Sequence, residues 1–250
     1  MDEGVLDKVT TEIGEMAREE RVHAVLCGMG ENLLRKALVV RALDNLERSS
    51  NGRVYTLLVT NGSCLTEDLL EHDAFRRLDA IQVSFTGHGK ESYEEIFGLK
   101  YEKVVANVVA MGRKLPGKIY IRTVDLEKLR QYRDEFERFW NEKGIPVSFR
   151  PLHSRGGHIR DPEAYPGRFR SFAGCEIFDW ITFISSDGLV LSCCHDVTSQ
   201  NVVGDCRVSS LADIIARKQE MRRSRFPGFE ICSKCTDFEL SSVGRNERLM

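Results

Sequence analysis

Val22-His23-Ala24-Val25-Leu26-Cys27-Gly28-Met29-Gly30 opens the pattern that decides the fold. A short apolar run closes on two glycines, and the following segment, 31–49, places Leu34, Leu38, Ala42 and Leu46 on one side of a helix. The same alternation recurs downstream. Asn51-Gly52 turns into the apolar run Val54 to Val59, and a helix near 66–78 leads to Ile81-Gln82-Val83-Ser84-Phe85. Helices near 91–97 and 101–114 lead to Ile119-Tyr120-Ile121, and a helix over 125–142 leads to Val147-Ser148-Phe149. Upstream, Val5, Leu6, Val9, Ile13, Met16 and Ala17 predict an amphipathic helix over 5–17. Short strands alternating with helices imply βα units, and so a parallel sheet with right-handed crossovers. Ligands bind at the carboxyl ends of such strands. Those ends read Gly28-Met29-Gly30-Glu31, Thr60-Asn61-Gly62, Ser84-Phe85-Thr86-Gly87 and Arg122-Thr123.

The pattern changes after residue 150. His153-Ser154-Arg155-Gly156-Gly157-His158 and Pro162 to Gly174 are rich in Arg, Gly and Pro without periodicity, so 151–174 reads as a connecting or lid loop. Beyond it, Trp180 to Ser185 and Leu189 to Ser192 flank Ser186-Asp187-Gly188, the signature of a β-hairpin. A helix over 209–219 and Cys232-Ser233-Lys234-Cys235 follow, and 241–250 reads as a loose tail.

The 250 residues are 42% apolar, enough for an ordinary core, with 36 basic against 38 acidic residues and no strong clustering. No electrostatic footprint for nucleic acid is expected. No apolar run reaches membrane-span length, and the acidic amphipathic start is unlike a signal peptide, so a cytoplasmic protein without a membrane partner is expected. In a reducing cytosol the eight cysteines suggest metal rather than disulfides. Cys27, Cys64, Cys194 and Cys206 are scattered and read as packing residues. The other four do not. A hairpin brings Cys175 and Cys193 together, and Cys232-x-x-Cys235 adds two thiolates from one turn, making a four-sulfur site for an iron-sulfur cluster or a structural zinc. Softness alone does not choose between those metals. Cys194 and His195 are substitute ligands or, more simply, a strand-end thiol and a surface imidazole.

Cys175-x12-Gly188-x4-Cys193 followed by Cys232-x-x-Cys235, with Trp180, Asp196 and Ser210-Leu211 between, resembles the SPASM/twitch extension of radical S-adenosylmethionine (radical SAM) enzymes. Gly28-x-Gly30-Glu31 is similar to that family's GGEP motif, Thr60-Asn61-Gly62 to its third-strand motif, and Ser84-x-x-Gly87 to its fourth-strand turn. The resemblance spans about 22–236. It implies an α/β fold: a partial (βα)6 TIM-like barrel over 1–150, with its first strand missing, and a twitch domain over 175–240. It also implies an auxiliary [4Fe-4S] cluster on the four cysteines, and S-adenosylmethionine contacting Gly28, Gly30 and Glu31, with Ser84 and Arg122 reaching its ribose or carboxylate. An electron donor and a peptide or small-molecule substrate complete the implied partners, with the His153 to Gly157 loop beside the substrate channel. Read on their own, Gly28 and Gly30 form a βα turn, Glu31 caps a helix, Ser84 caps a turn, and Arg122 is a strand-end charge. A dinucleotide fingerprint would need glycine where Leu33 stands.

Two departures stand out. Asn32 replaces the family's proline, and no CxxxCxxC, the loop that holds the SAM-cleaving cluster, occurs anywhere in the chain. The chain is therefore expected to be inactive as given, either a fragment of a complete enzyme or a degenerate member kept as a scaffold for iron-sulfur or zinc. An unpaired edge on His23 to Cys27 favours the fragment.

Overall fold

The computed structural model describes residues 1–161, 175–223 and 228–237, so the expected lid from Pro162 to Gly174 and the expected tail lie outside the described residues. The chain divides into two compact units, Thr10–Pro151 and Met1–Val9 with Leu152–Met250. Helix α1 (Glu3–Met16) contributes to both.

The first unit runs β1 (His23–Leu26), α2 (Lys36–Ser50), β2 (Tyr55–Thr60), α3 (Asp73–Arg77), β3 (Ala80–Ser84), α4 (Lys90–Phe97), α5 (Tyr101–Lys114), β4 (Ile119–Asp125), α6 (Arg133–Asn141) and β5 (Val147–Pro151). All five strands are parallel, in the order β1-β2-β3-β4-β5. The α/β reading holds, with one refinement. Three stretches expected as single long helices open instead with 3₁₀ turns at Asn32–Arg35, Glu67–Glu71 and Glu127–Tyr132. Periods of 3.0 and 3.6 residues are nearly the same over one turn, so the apolar spacing did not separate them.

Because strand side chains alternate, each strand shows one set of residues to the helices and the other away from them. Leu58, Ile81, Val83, Ile119 and Ile121 are buried with Leu43, Phe75, Tyr93, Val108, Met111 and Trp140. The opposite face carries Leu57, Gln82, Ser84, Tyr120, Arg122 and Ser148, none of them fully buried. It is a polar face: the Tyr120 hydroxyl donates to Gln82 Oε1 at 3.0 Å, and Arg122 Nη1 donates to Ser148 Oγ at 3.0 Å. After β3 the chain must turn sharply under α4. Gly87 does this at φ +127°, where an added Cβ would stand 2.6 Å from the Tyr93 backbone nitrogen. β1 forms one edge of the sheet, with Val25 48% exposed.

The second unit is built from shorter pieces: α7 (Glu176–Trp180), β6 (Phe183–Ile184), β7 (Leu189–Leu191), β8 (Val202–Asp205), α8 (Leu211–Arg223) and α9 (Glu230–Ser233). The expected hairpin is present, pairing Phe183 with Leu191 and Ile184 with Val190 in antiparallel register. Two features differ from expectation. β8 adds a third antiparallel strand beside β7. Trp180 ends a helical turn rather than opening a strand, because the Asp179 and Ile181 amides donate back to the Cys175 and Ile177 carbonyls at 2.9 and 3.0 Å. That turn buries Ile177 and Phe178 and leaves Trp180 81% exposed.

Candidate metal centre

Each of the four cysteines is held by a different local device. Cys175 is the N-cap residue of α7, Cys193 lies just past β7, Cys232 is inside α9, and Cys235 ends the turn in which its amide donates to the Cys232 carbonyl at 3.4 Å. Their sulfurs are close enough to influence one another's ionisation. Burial pushes the Cys232 thiol up to about 12, and charge on Cys193, Cys175 and Cys235 adds to the shift. Burial likewise pushes Cys235 up to about 11, with Asp237, Cys193 and Cys175 adding to it and the Asp237 amide opposing it. Cys193 is raised by burial and by Cys175, against the amides of His195 and Asp196. Four partly buried thiols that repel one another as thiolates make a donor set that a soft cation stabilises.

The loop at His153 to Gly157 buttresses this set. Ser154 donates its amide to Thr236 Oγ1 at 2.9 Å and its hydroxyl to the Lys234 carbonyl at 2.8 Å, and its hydroxyl accepts from the Thr236 amide at 3.1 Å. Gly156 and Gly157 have positive φ and pass so close to α9 that added side chains would collide with Ile231 and Lys234.

The candidates in the sheet unit fall into two sets. Gly28, Gly30 and Glu31 follow β1. Ser84 and Arg122 are register partners on β3 and β4, with Ser148 next in line on β5. Glu31 caps the 3₁₀ turn and does more: its carboxylate accepts from the Leu33 amide (3.0 Å), the Thr60 hydroxyl (2.9 Å) and the Asn61 amide (2.8 Å). It thereby staples the loop after β1 to the loop after β2. Asn32 works beside it, donating Nδ2 to the Leu26 and Val59 carbonyls at 3.1 and 3.3 Å.

Residues 175–236 match the SPASM family, an iron-sulfur cluster-binding domain. The fold is similar to that of BtrN solved with AdoMet and 2-DOIA, at 17% identity and a TM-score of 0.60, covering 95% of this chain and 80% of that one. It is also similar to selenomethionine BtrN in an open conformation, at 14% identity and a TM-score of 0.53 with the same coverage. The family match is confined to the cysteine-bearing part of the C-terminal unit. No curated protein sequence matches it. At these identities the likeness to BtrN is one of fold, and the SPASM match is what points to an iron-sulfur centre.

The remaining cysteines and His195 only partly follow expectation. Cys206 is buried, as expected of a packing residue, and Cys64 packs beside the main core of the sheet unit. Cys27 is exposed, because β1 is an edge strand and the chain leaves the sheet there. His195 is no surface imidazole: it is 4% exposed and donates Nε2–H to Asp237 Oδ2 at 2.7 Å. Lys218 was not singled out in the sequence, yet it is 5% exposed and donates to the Ile181 carbonyl at 2.6 Å. Its amine is lowered to about 8 by burial, while Asp179, Cys193 and Cys175 pull it back up. A cation within electrostatic reach of two sulfurs suits a site that gathers negative charge. Only its position in the middle of α8, one turn from Ile214, could have signalled burial.

Proposed function

We propose that this chain binds an auxiliary [4Fe-4S] cluster through Cys175, Cys193, Cys232 and Cys235, as part of a radical SAM/SPASM-type oxidoreductase or modifying enzyme acting on a peptide or small molecule. The observation that carries the proposal is the gathering, within the residues that match the SPASM domain, of four thiols that would repel one another once ionised. Such a cluster, when bound, supplies one-electron transfer. The protein's own share is to hold four thiolates, to keep Lys218 as a countercharge beside them, and to screen the site by burial. In the sheet unit, AdoMet is assigned to the backbone of Gly28 and Gly30, where glycine permits close approach, with Glu31 holding that loop in place and Ser84 and Arg122 on the polar face. An electron donor is the expected partner, and the cytoplasm the expected location.

Anaerobic reconstitution with iron and sulfide, followed by metal and sulfide analysis, tests the cluster. About four irons and four sulfides per chain, lost in Cys232→Ala/Cys235→Ala, are expected. One zinc per chain without visible absorption would sink the reading.

A second reading, a non-catalytic iron-sulfur or zinc scaffold, is favoured by one feature of the sequence, the lack of any CxxxCxxC. Equilibrium dialysis against AdoMet separates the two: binding that Arg122→Ala weakens supports the enzyme reading, and no binding leaves the scaffold.

A further inference from the structure

The backbone of Asp237 donates to one of the four cysteine sulfurs, and its side chain meets that of a residue just after another of the four. The Asp237 amide donates to Cys235 Sγ at 3.4 Å, and His195 follows closely on Cys193 in the chain. The side chains of His195 and Asp237 join through the 2.7 Å bond from His195 Nε2 to Asp237 Oδ2, both nearly out of solvent. The chain positions concerned, 195 and 237, are 42 residues apart, so no local element brings them together. His153 adds a third arm, with its Nε2 3.7 Å from the same Asp237 oxygen. The Arg155 amide donates to His153 Nδ1 at 3.2 Å, which leaves the proton of the neutral ring on Nε2, facing the carboxylate.

Asp237, His153 and His195 bring three ligand-type atoms within 4.8 Å of one another, which raises the question of a separate cation. The Arg155 amide argues against it. A histidine that ligates through Nε2 needs its Nδ1 free to donate, and here Nδ1 accepts.

Resting on the auxiliary-cluster reading, we propose that the His195–Asp237 bond, steadied by His153, is a positioning clasp. It fixes the spacing of Cys193 and Cys235 and aims the Asp237 amide at Cys235 Sγ. Hydrogen bonds to ligand sulfurs stabilise the more negative, reduced state of a cluster and raise its potential. The clasp therefore tunes the cluster as well as holding its ligands. His195 and Asp237 are positioning residues, acting through the cysteines.

The test compares the reconstituted full chain with His195→Phe, which fills the space but cannot donate, and His195→Gln, whose side-chain amide can donate to Asp237. Lys90→Ala, on the surface of the other unit, serves as the control. Iron and sulfide content, the midpoint potential from a redox titration followed by electron paramagnetic resonance, and the rate of iron loss to a chelator are read for each. We expect His195→Phe to shift the potential to more negative values and release iron several-fold faster, or to load no cluster at all, while His195→Gln and Lys90→Ala stay close to the parent chain. A His195→Phe protein indistinguishable from the parent overturns the clasp, and so does a His195→Gln protein as damaged as His195→Phe. One zinc per chain beyond the cluster iron, lost in both His195 variants, overturns it in favour of a cation site. A parent chain that takes up no iron instead overturns the cluster reading on which the clasp rests.

Discussion

The two units are stabilised by different means. In Thr10–Pro151 a continuous apolar cluster, with Phe75, Ile81, Val108, Met111 and Trp140 fully out of solvent, holds a five-stranded sheet to its helices. In the C-terminal unit the described strands are two to four residues long, and much of what ties its loops together is polar: Ser154 to the Cys235 turn, His195 to Asp237, and Asp196 to the amides of Gln200 and Asn201. A small core supplies little stability by burial alone, and domains of that kind use metals or cross-links. The difference teaches that burial is the main stabilising term in the sheet unit, whereas the C-terminal unit relies more on polar ties between its loops.

The strongest way to break this contrast is Cys232→Ala/Cys235→Ala. Complete loss of bound iron is expected, with hydrogen exchange rising across 175–223 and staying unchanged in the five-stranded sheet. Equal loosening of both units would show that the distinction is wrong. On the other side, Trp140→Ala removes a ring buried against Phe85 at 5.1 Å and should cost the sheet unit about 3–5 kcal/mol in urea unfolding. Gly87→Ala should cost about 1–3 kcal/mol there, since the residue must keep φ +127° against the Tyr93 backbone.

A subtler effect is the pH dependence of the metal-free chain. Cys232 and Cys235 have folded values of about 12 and about 11 against an ordinary 9.0, so their contribution is fully present below pH 9 and is lost as pH climbs through 11 to 12. Lys218 works in the opposite sense, from about 8 towards its ordinary 10.5, and partly offsets them. Thermal melts of the metal-free chain should therefore show the C-terminal unit weakening at alkaline pH. Iron loading, which requires thiolates, should strengthen as pH rises from 7 to 9. The smallest effect is expected from Lys90→Ala, which removes an exposed ion pair with Glu102 and should leave the unfolding midpoint where it was.

Much of the sheet was legible because its signal is local. Val54 to Val59 or Ile81 to Phe85 reads as a strand from its own composition, and the turn residues after each strand mark where a ligand would meet the sheet. The Ser186-Asp187-Gly188 turn announced a hairpin for the same reason, although the hairpin spans only Phe183 to Leu191 and Cys175 stands outside it, at the N-cap of α7. β8 was not legible, because Val202-Val203-Gly204 is too short to announce a strand until β7 offers an edge to pair with. Asn32 looked like a minor departure from a motif, yet its side-chain amide donates to carbonyls near the ends of two strands, a role that only neighbouring β1 and β2 create.

By itself, then, the sequence determined the βα alternation, the parallel sheet and the turn of the C-terminal hairpin, because apolar period and turn residues are properties of short stretches of chain. The tertiary structure alone decided that Glu31 staples two loops, that Lys218 is buried, and that His195 is held by Asp237 instead of facing solvent. Burial and hydrogen-bond partnership depend on residues tens of positions away, and no local pattern encodes which of them will arrive.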